Sequence, residues 1–162
     1  VNDVVKNCRC PFVIDADGLN SMDVSVLKDV RQNVVITPHL GEMARLTGYG
    51  IEYIKNNLCD VALSFAKEYN VAVVLKCATT VVAFPNGKVY INTKGNSGMA
   101  TAGSGDALAG ILGSCIASGI DFEDAVLNGV YLHSAAGDAA AEKLGKKFMS
   151  ATDIIKHLRF VL

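Results

Sequence analysis

The sequence lacks several features that mark particular classes of protein. Tryptophan is absent, only three prolines and three histidines occur, and acidic and basic side chains nearly balance at a net charge of −1. A near-neutral chain has no electrostatic basis for binding nucleic acid or a membrane surface. No apolar run reaches the ~18 residues of a membrane-spanning helix, and no signal peptide is recognisable. We therefore expect neither nucleic acid nor a membrane as a partner.

The cysteines give no metal or disulfide pattern. They are scattered over the chain, at Cys8, Cys10, Cys59, Cys77 and Cys115. No CxxC pair occurs, and a single C-x-C lacks the second ligand pair that a structural zinc site needs. Several of these cysteines lie in apolar runs, which is typical of small buried side chains in a reducing compartment. This pattern predicts a cytoplasmic protein.

The chain is predicted to form one α/β domain over residues 1–162. Hydrophobic residues make up 51% of the chain, enough for a core. Strand-like runs alternate with helical spacing in the first half, which favours a mostly parallel sheet flanked by helices. The "PNG" of residues 85–87 separates two strand-like runs and predicts a β-hairpin. The final third is helical.

A glycine-rich stretch carries the clearest chemical signal. "NSGMATAGSGDALAG" (residues 96–110) leads a loop of small residues into a predicted helix. Free backbone N–H groups and the positive end of a helix dipole attract phosphate there. The stretch is neither a Walker A motif, since no Gly-Lys-Ser/Thr follows, nor a dinucleotide fingerprint. It predicts an anion site formed by residues 102–105.

Asp106 stands at the start of that helix. One interpretation is that the helix dipole simply stabilises the carboxylate. An acid beside bound phosphate would, however, repel it, so the carboxylate makes better sense facing a substrate hydroxyl whose proton it accepts. That arrangement is typical of phosphoryl transfer, and it makes Asp106 the candidate catalytic residue.

Five motifs, in order, resemble one family. "GSGDALAG" is similar to the anion-hole and catalytic-Asp motif of the ribokinase-like superfamily. "VIDADGLN", "ITPHLGEMARL", "LKCATTVVAFPNG", "NSGMATAGSGDALAGIL" and "GVYLHSAAGDAAA" follow the order of the NAD(P)H-hydrate dehydratases. The resemblance implies a ribokinase-like fold and repair of hydrated NADH or NADPH at the expense of ADP or ATP, with Mg²⁺ on the phosphates. It also implies a homo-oligomer.

The resemblance places the site residue by residue. It assigns contacts with the hydrated cofactor to His39, Asp17, Asn20 and Asp106. Glu42 would lie near the phosphates and the metal. The nucleotide would contact two segments. One is a strip made up of Lys76, Cys77, Ala78, Thr79 and Thr80. The other is the glycine-rich loop, with Met99, Ala102, Gly103, Ser104 and Gly105.

Some of these residues also have ordinary interpretations. From sequence alone, a polar loop-end residue is the stronger interpretation of His39. Lys76 is equally well a solvated strand-end lysine, and Glu42 is nearly as well explained as a helix-start charge. Cys77 stands where the family usually has glycine, and its bulk would crowd a nucleotide. Of the other histidines, His133 is expected to pack or bond locally, and His157 to face solvent on a terminal amphipathic helix.

Two alternatives to the dehydratase reading remain open. One is a related kinase for a small vitamin precursor such as a hydroxymethylpyrimidine or a thiazole alcohol. The other is a non-catalytic nucleotide-binding module. The chain begins without Met and lacks the N-terminal stretch of complete family members. We therefore expect the C-terminal portion of the domain, with an unpaired sheet edge. The sequence leaves ADP and ATP undistinguished.

Overall fold

The computed structural model describes all 162 residues and divides them into two units, Val1–Ile91 and Asn92–Leu162. The first unit alternates strands and helices. Its helices are α1 (Asn2–Asn7), α2 (Asp17–Asn20), α3 (Leu40–Thr47), α4 (Ile51–Asn56) and α5 (Leu58–Tyr69), with a 3-10 helix at Val24–Asp29. Its strands are β1 (Phe12–Ile14), β2 (Val34–Ile36), β3 (Ala72–Leu75), β4 (Thr80–Ala83) and β5 (Val89–Asn92).

The five strands form one mixed sheet in the order β1-β2-β3-β4-β5. β1 pairs with β2 in parallel, and β2 with β3 in parallel, with Val35 opposite Ala72. β3 and β4 are antiparallel, with Val74 opposite Val82. The predicted turn joins β4 to β5, where Gly87 N donates to Phe84 O at 3.1 Å. The parallel part places the carboxyl ends of β1, β2 and β3 at one edge of the sheet.

Helix α5 buries the face that its apolar spacing predicts. Val61, Ala62, Phe65 and Ala66 are all buried, and the helix contacts β3 and β4. These positions recur at i, i+1, i+4 and i+5, which places them on one side of a helix. Burying one such large side chain contributes about 1.5–3 kcal/mol. The helix therefore fixes the central strands whose ends carry candidate site residues.

The second unit is helical. It contains a 3-10 helix at Ser97–Met99, then α6 (Ser104–Ala117), α7 (Phe122–Leu144) and α8 (Ala151–His157), and a final 3-10 turn at Leu158–Phe160. Helix α7 packs against both α6 and α8. Gly129 permits the first contact, because a Cβ there would lie 2.7 Å from Leu112 Cδ2. No helix in the protein combines the length and apolarity needed to cross a bilayer.

One histidine contradicts the sequence prediction, and another is packed in the interior as the sequence predicted. His157 is buried rather than solvent-facing, and its Nδ1 lies 2.7 Å from Asp153 O. It follows the fully buried Ile154 by three residues, so both share the inner face of α8. His133 is also buried, and its Nε2 lies 3.4 Å from Ser104 Oγ on another helix. Its hydrogen bond is therefore not local.

Candidate functional site

The turn from β2 into α3 is closed by His39 itself. His39 is the N-cap of α3, and its Nδ1 accepts hydrogen bonds from Gly41 N (2.9 Å) and Glu42 N (3.2 Å). Histidine is not among the usual N-cap residues, but here an unprotonated Nδ1 takes the part of a side-chain oxygen. The ring proton then resides on Nε2, and 56% of the side chain is exposed. His39 thus presents Nε2 at the carboxyl end of β2.

Gly41 and Glu42 complete this cap. Glu42 Oε2 accepts from His39 N at 2.7 Å, which closes a capping box, and its Oε1 lies 3.5 Å from His39 Nε2. A Cβ on Gly41 would lie 2.9 Å from His39 Cε1, so glycine leaves room for the ring. The motif H-x-G-E is therefore one local structure in which each of the three residues has a defined part.

An ion pair links the ends of β1 and β3. Lys76 Nζ donates to Asp15 Oδ1 at 2.6 Å, and both side chains are largely buried, with 22% and 12% exposed. Lys76 N also donates to Pro38 O at 2.8 Å, and Lys76 forms a parallel bridge with His39. Lys76 is therefore not a solvated strand-end lysine. The sheet brings Lys76, His39 and Asp15 together at one edge.

The strip that follows Lys76 is an open bend. Residues 77–79 form no regular element, and Ala78 and Thr79 are exposed while Cys77 is half-buried. The strip connects β3 to β4 across the same sheet edge, so its backbone is accessible to a ligand there. A role in contacting nucleotide stays a prediction for Lys76, Cys77, Ala78, Thr79 and Thr80.

Asp17 and Asn20 lie on the short α2 just beyond Asp15. Both are exposed, and Asn20 lines a polar cavity of about 270 Å³ together with Glu42 and Arg45. Ala16, between Asp15 and Asp17, has φ 48° and ψ −120°, a backbone conformation that residues other than glycine rarely adopt. Strain of this kind costs about 1–3 kcal/mol and clusters at functional sites. It turns the chain sharply at the end of β1.

The residues do not supply a ready metal site. Nowhere do three His, Cys, Asp or Glu side chains gather with metal-ligand geometry. One oxygen of Glu42 accepts the His39 amide, and the other lies beside the imidazole. Mg²⁺ prefers several oxygen ligands in octahedral geometry. The side chains therefore form no complete magnesium site of their own, whereas an Mg²⁺ ion bound with a nucleotide takes most of its ligands from phosphates and water.

The glycine loop (residues 95–105) leads into α6 without a side-chain cap. Gly103, in the left-handed region at φ 83°, is the N-cap, and no side chain bonds to the first amides of the helix. Ser104 N donates to Thr101 O at 3.2 Å, whereas the next two amides, of Gly105 and Asp106, have no intrahelical partner. Ser104 is buried, whereas Ala102 and Gly103 are exposed. The helix start therefore has backbone amides without a side-chain cap, as helix ends that bind anions do, and the anion site stays a prediction.

Asp106 lies in the first turn of α6 and is exposed at a cavity. This cavity has a volume of about 550 Å³ and runs along α6 and α8. It is lined by Gly103, Asp106 and otherwise mainly small or apolar residues such as Gly110. Cys115 also lines it, and burial raises the pKa of that thiol above its ordinary value of 9.0. The carboxylate and the open helix start thus border the same cavity.

The structure groups the predicted residues in two sets. His39, Glu42, Lys76 and the strip lie at the edge of the sheet in the first unit, and Asn20 shares a cavity with Glu42. Met99, the loop and Asp106 belong to the second unit. Sequence reasoning missed Asp15, although it ends the apolar run "FVID", which was the available signal.

Comparisons with known proteins agree on one family. A family model described as NAD(P)H-hydrate dehydratase matches residues 1–159. The chain is 43% identical over 164 residues to the bifunctional NAD(P)H-hydrate repair enzyme Nnr of Moorella thermoacetica, covering 100% of this chain and 31% of that protein.

The structural comparisons agree with that match. The fold superposes with a TM-score of 0.91 and 31% identity on the ADP/ATP-dependent NAD(P)H-hydrate dehydratase of Bacillus subtilis, co-crystallised with ATP/Mg²⁺ and soaked with CoA, covering 98% of this chain and 58% of that one. A ribokinase from Thermotoga maritima shares the fold, with a TM-score of 0.60 at 17% identity, 97% of this chain and 52% of that one. The chain thus spans between 31% and 58% of the length of these proteins.

Proposed function

Because the chain belongs to the NAD(P)H-hydrate dehydratase family, we propose that it serves the nucleotide-dependent dehydration of hydrated NADH or NADPH. The nucleotide is ADP or ATP, as the ADP/ATP dependence of the similar Bacillus subtilis enzyme supports. The reaction repairs a damaged cofactor by returning it to the dihydropyridine.

The position of Asp106 at the start of α6 is the observation that supports this proposal most strongly. Asp106 and the uncapped start of α6 border the same cavity of about 550 Å³. Backbone amides there suit the charge of a transferred phosphoryl group, and the carboxylate suits a hydroxyl proton. A site built only to hold phosphate would gain nothing from an acid at this point.

The chemistry we propose has two steps. The ring hydroxyl oxygen attacks the terminal phosphorus while Asp106 accepts its proton, and the bond from that phosphorus to the shortened nucleotide breaks. The phosphate then leaves with the former hydroxyl oxygen, and loss of a ring proton restores the double bond. The amides of residues 102–105 stabilise the negative charge on the transferred group.

The residues of the first unit are assigned to binding. We propose that His39, Asp17 and Asn20 contact the hydrated cofactor, and that residues 76–80 contact the nucleotide. The Asp15 carboxylate supports the contact of Lys76 with the nucleotide, because it holds the Lys76 ammonium at the edge of the sheet. Glu42 supports contact of His39 with the cofactor, because its backbone N donates to His39 Nδ1 at 3.2 Å and so orients the ring.

Compartment and assembly belong to the proposal too. All five cysteines are free thiols, which agrees with a reducing cytoplasm. Assembly into a homo-oligomer stays a prediction. Mg²⁺ would arrive with the nucleotide, where it would neutralise phosphate charge.

The test is incubation of the protein with hydrated NADH or NADPH and either ADP or ATP. We expect dihydropyridine absorbance to recover only when a nucleotide is present, with inorganic phosphate released in equal amount. Phosphorylation of a thiazole alcohol without this recovery would replace the proposal by the kinase alternative. Nucleotide binding without any turnover would favour a binding module.

A further inference from the structure

The glycine loop is tied to helix α7 at several points along its length. Asn92 Nδ2 donates to Ser134 Oγ at 2.8 Å just before the loop. At its far end Ser104 Oγ lies 3.4 Å from His133 Nε2, between two buried side chains. Between these ends, one residue of α7 makes the largest number of bonds to the loop.

That residue is Asp138. Its Oδ2 accepts from Gly95 N at 3.0 Å, and its Oδ1 accepts from Asn96 Nδ2 at 3.0 Å. Asn96 Nδ2 also lies 3.1 Å from Gly137 O, and Asn96 Oδ1 accepts from Gly98 N at 2.9 Å. One carboxylate therefore holds Asn96 in the orientation in which it caps the turn Ser97–Met99.

The turn Ser97–Met99 packs closely against α7 and the segment that follows it. A Cβ on Gly137 would lie 2.4 Å from Met99 Sδ, so Met99 rests directly on the backbone of α7. A Cβ on Gly98 would lie 2.5 Å from Lys146 O. The first half of the loop is therefore held against α7 by this close packing together with its hydrogen bonds.

We propose that Asp138 is a positioning residue for the anion site at the start of α6. The inference rests on the proposed function for its catalytic meaning. Asp138 fixes the entry of the loop, and His133 fixes its exit at Ser104, only five residues apart on one helix. The segment between them carries Met99, Ala102 and Gly103. Its amides are thereby held in place before a nucleotide arrives.

The test compares Asp138→Asn with Glu142→Gln. The first replaces one carboxylate oxygen by a donor, so either Gly95 N or Asn96 Nδ2 faces another N–H. The second removes the same charge one turn along α7, at an exposed side chain. Hydrogen exchange of peptides covering residues 93–105 and calorimetric binding of MgADP or MgATP are measured in both.

We expect exchange in residues 95–104 to speed up roughly 10–100-fold in Asp138→Asn, the effect of losing one charge-assisted hydrogen bond. Peptides from α5 should be unchanged. Nucleotide affinity should weaken by about as much, so that KM rises more than kcat falls. Glu142→Gln should match wild type in both measurements.

A swapped pair, Asn96→Asp with Asp138→Asn, re-forms a carboxamide–carboxylate bond and should restore part of the slow exchange. Unchanged loop exchange in Asp138→Asn would overturn the inference, as would acceleration spread equally over the whole chain. If the wild-type protein binds neither nucleotide, the proposed function fails, whereas the exchange result still decides whether Asp138 orders the loop.

Discussion

Lys76 Nζ lies 2.6 Å from Asp15 Oδ1, so residues 61 positions apart in sequence are joined at the carboxyl ends of β1 and β3. Neither strand end is exposed enough for water to replace this bond fully. Asp15→Asn should therefore destabilise the fold by about 1–3 kcal/mol, because it leaves a largely buried ammonium without its anion. Chemical denaturation measures the loss, and Asp29→Asn, at an exposed aspartate, is the control.

Two Gly→Ala substitutions, one in the H-x-G-E turn and one in α6, should change the stability of the fold in opposite directions. Gly→Ala inside a helix normally stabilises by about 0.5–1 kcal/mol. We expect that gain for Gly113→Ala, where an added Cβ meets nothing within 4 Å. Gly41→Ala should instead destabilise by about 1 kcal/mol, since the His39 ring must move and the cap is lost.

Thermal unfolding of both glycine variants, with His39→Ala as a third, tests this account of the turn. His39→Ala and Gly41→Ala should cost about the same, and together little more than either alone, because both remove one cap. Additive losses in the double variant would show that the two residues act separately.

Asp106→Asn separates the two interpretations of that carboxylate. If Asp106 is the general base, dehydration should fall by about 10²–10⁴-fold. Nucleotide affinity should hold or rise, because a negative charge beside the phosphates has gone. Single-turnover kinetics with hydrated NADH and isothermal calorimetry measure the two quantities. Full activity would leave only a dipole effect of up to ~1 kcal/mol.

The Ser150–Asp153 capping box predicts a pH dependence. Hydrogen bonds from Ser150 to the carboxylate lower the pKa of Asp153 below its ordinary value of 3.8. Its contribution to stability is thus present above pH ~4 and is lost as the pH falls through the lowered folded-state pKa. Ser150→Ala should raise the pKa of Asp153, as carboxyl NMR titration would report.

The same variant tests the sign of the effect on stability. Ser150→Ala should be less stable than wild type at pH 7, and the difference should shrink on acidification towards pH ~2. A constant difference across this range would mean that the serine acts on α8 without the carboxylate.

Strong local patterns predicted the elements of this fold well. The hairpin at residues 85–87 and the buried face of α5 follow from turn chemistry and periodicity, which act between neighbours in sequence. The start of α6 with Asp106 was predicted for the same reason.

Features that depend on contacts distant in sequence were missed. The pairing of Asp15 with Lys76 requires the order of strands in the sheet, which no local pattern states. The cap at His39 was missed because histidine seldom fills that position. The burial of His157 depends on how α8 packs, and an amphipathic pattern alone does not say on which face a histidine lies.

The anchoring of the glycine loop on α7 also constrains how the sequence can drift. The pairs 92/134, 96/138 and 104/133 each join a residue of the loop, or of the strand before it, to a residue of α7 through complementary donors and acceptors. A change at one member alone removes one of these bonds, so substitutions should be inherited in couples. Aligned relatives should therefore show covariation between the two positions of each pair. This covariation should be visible even among proteins whose catalytic residues never vary.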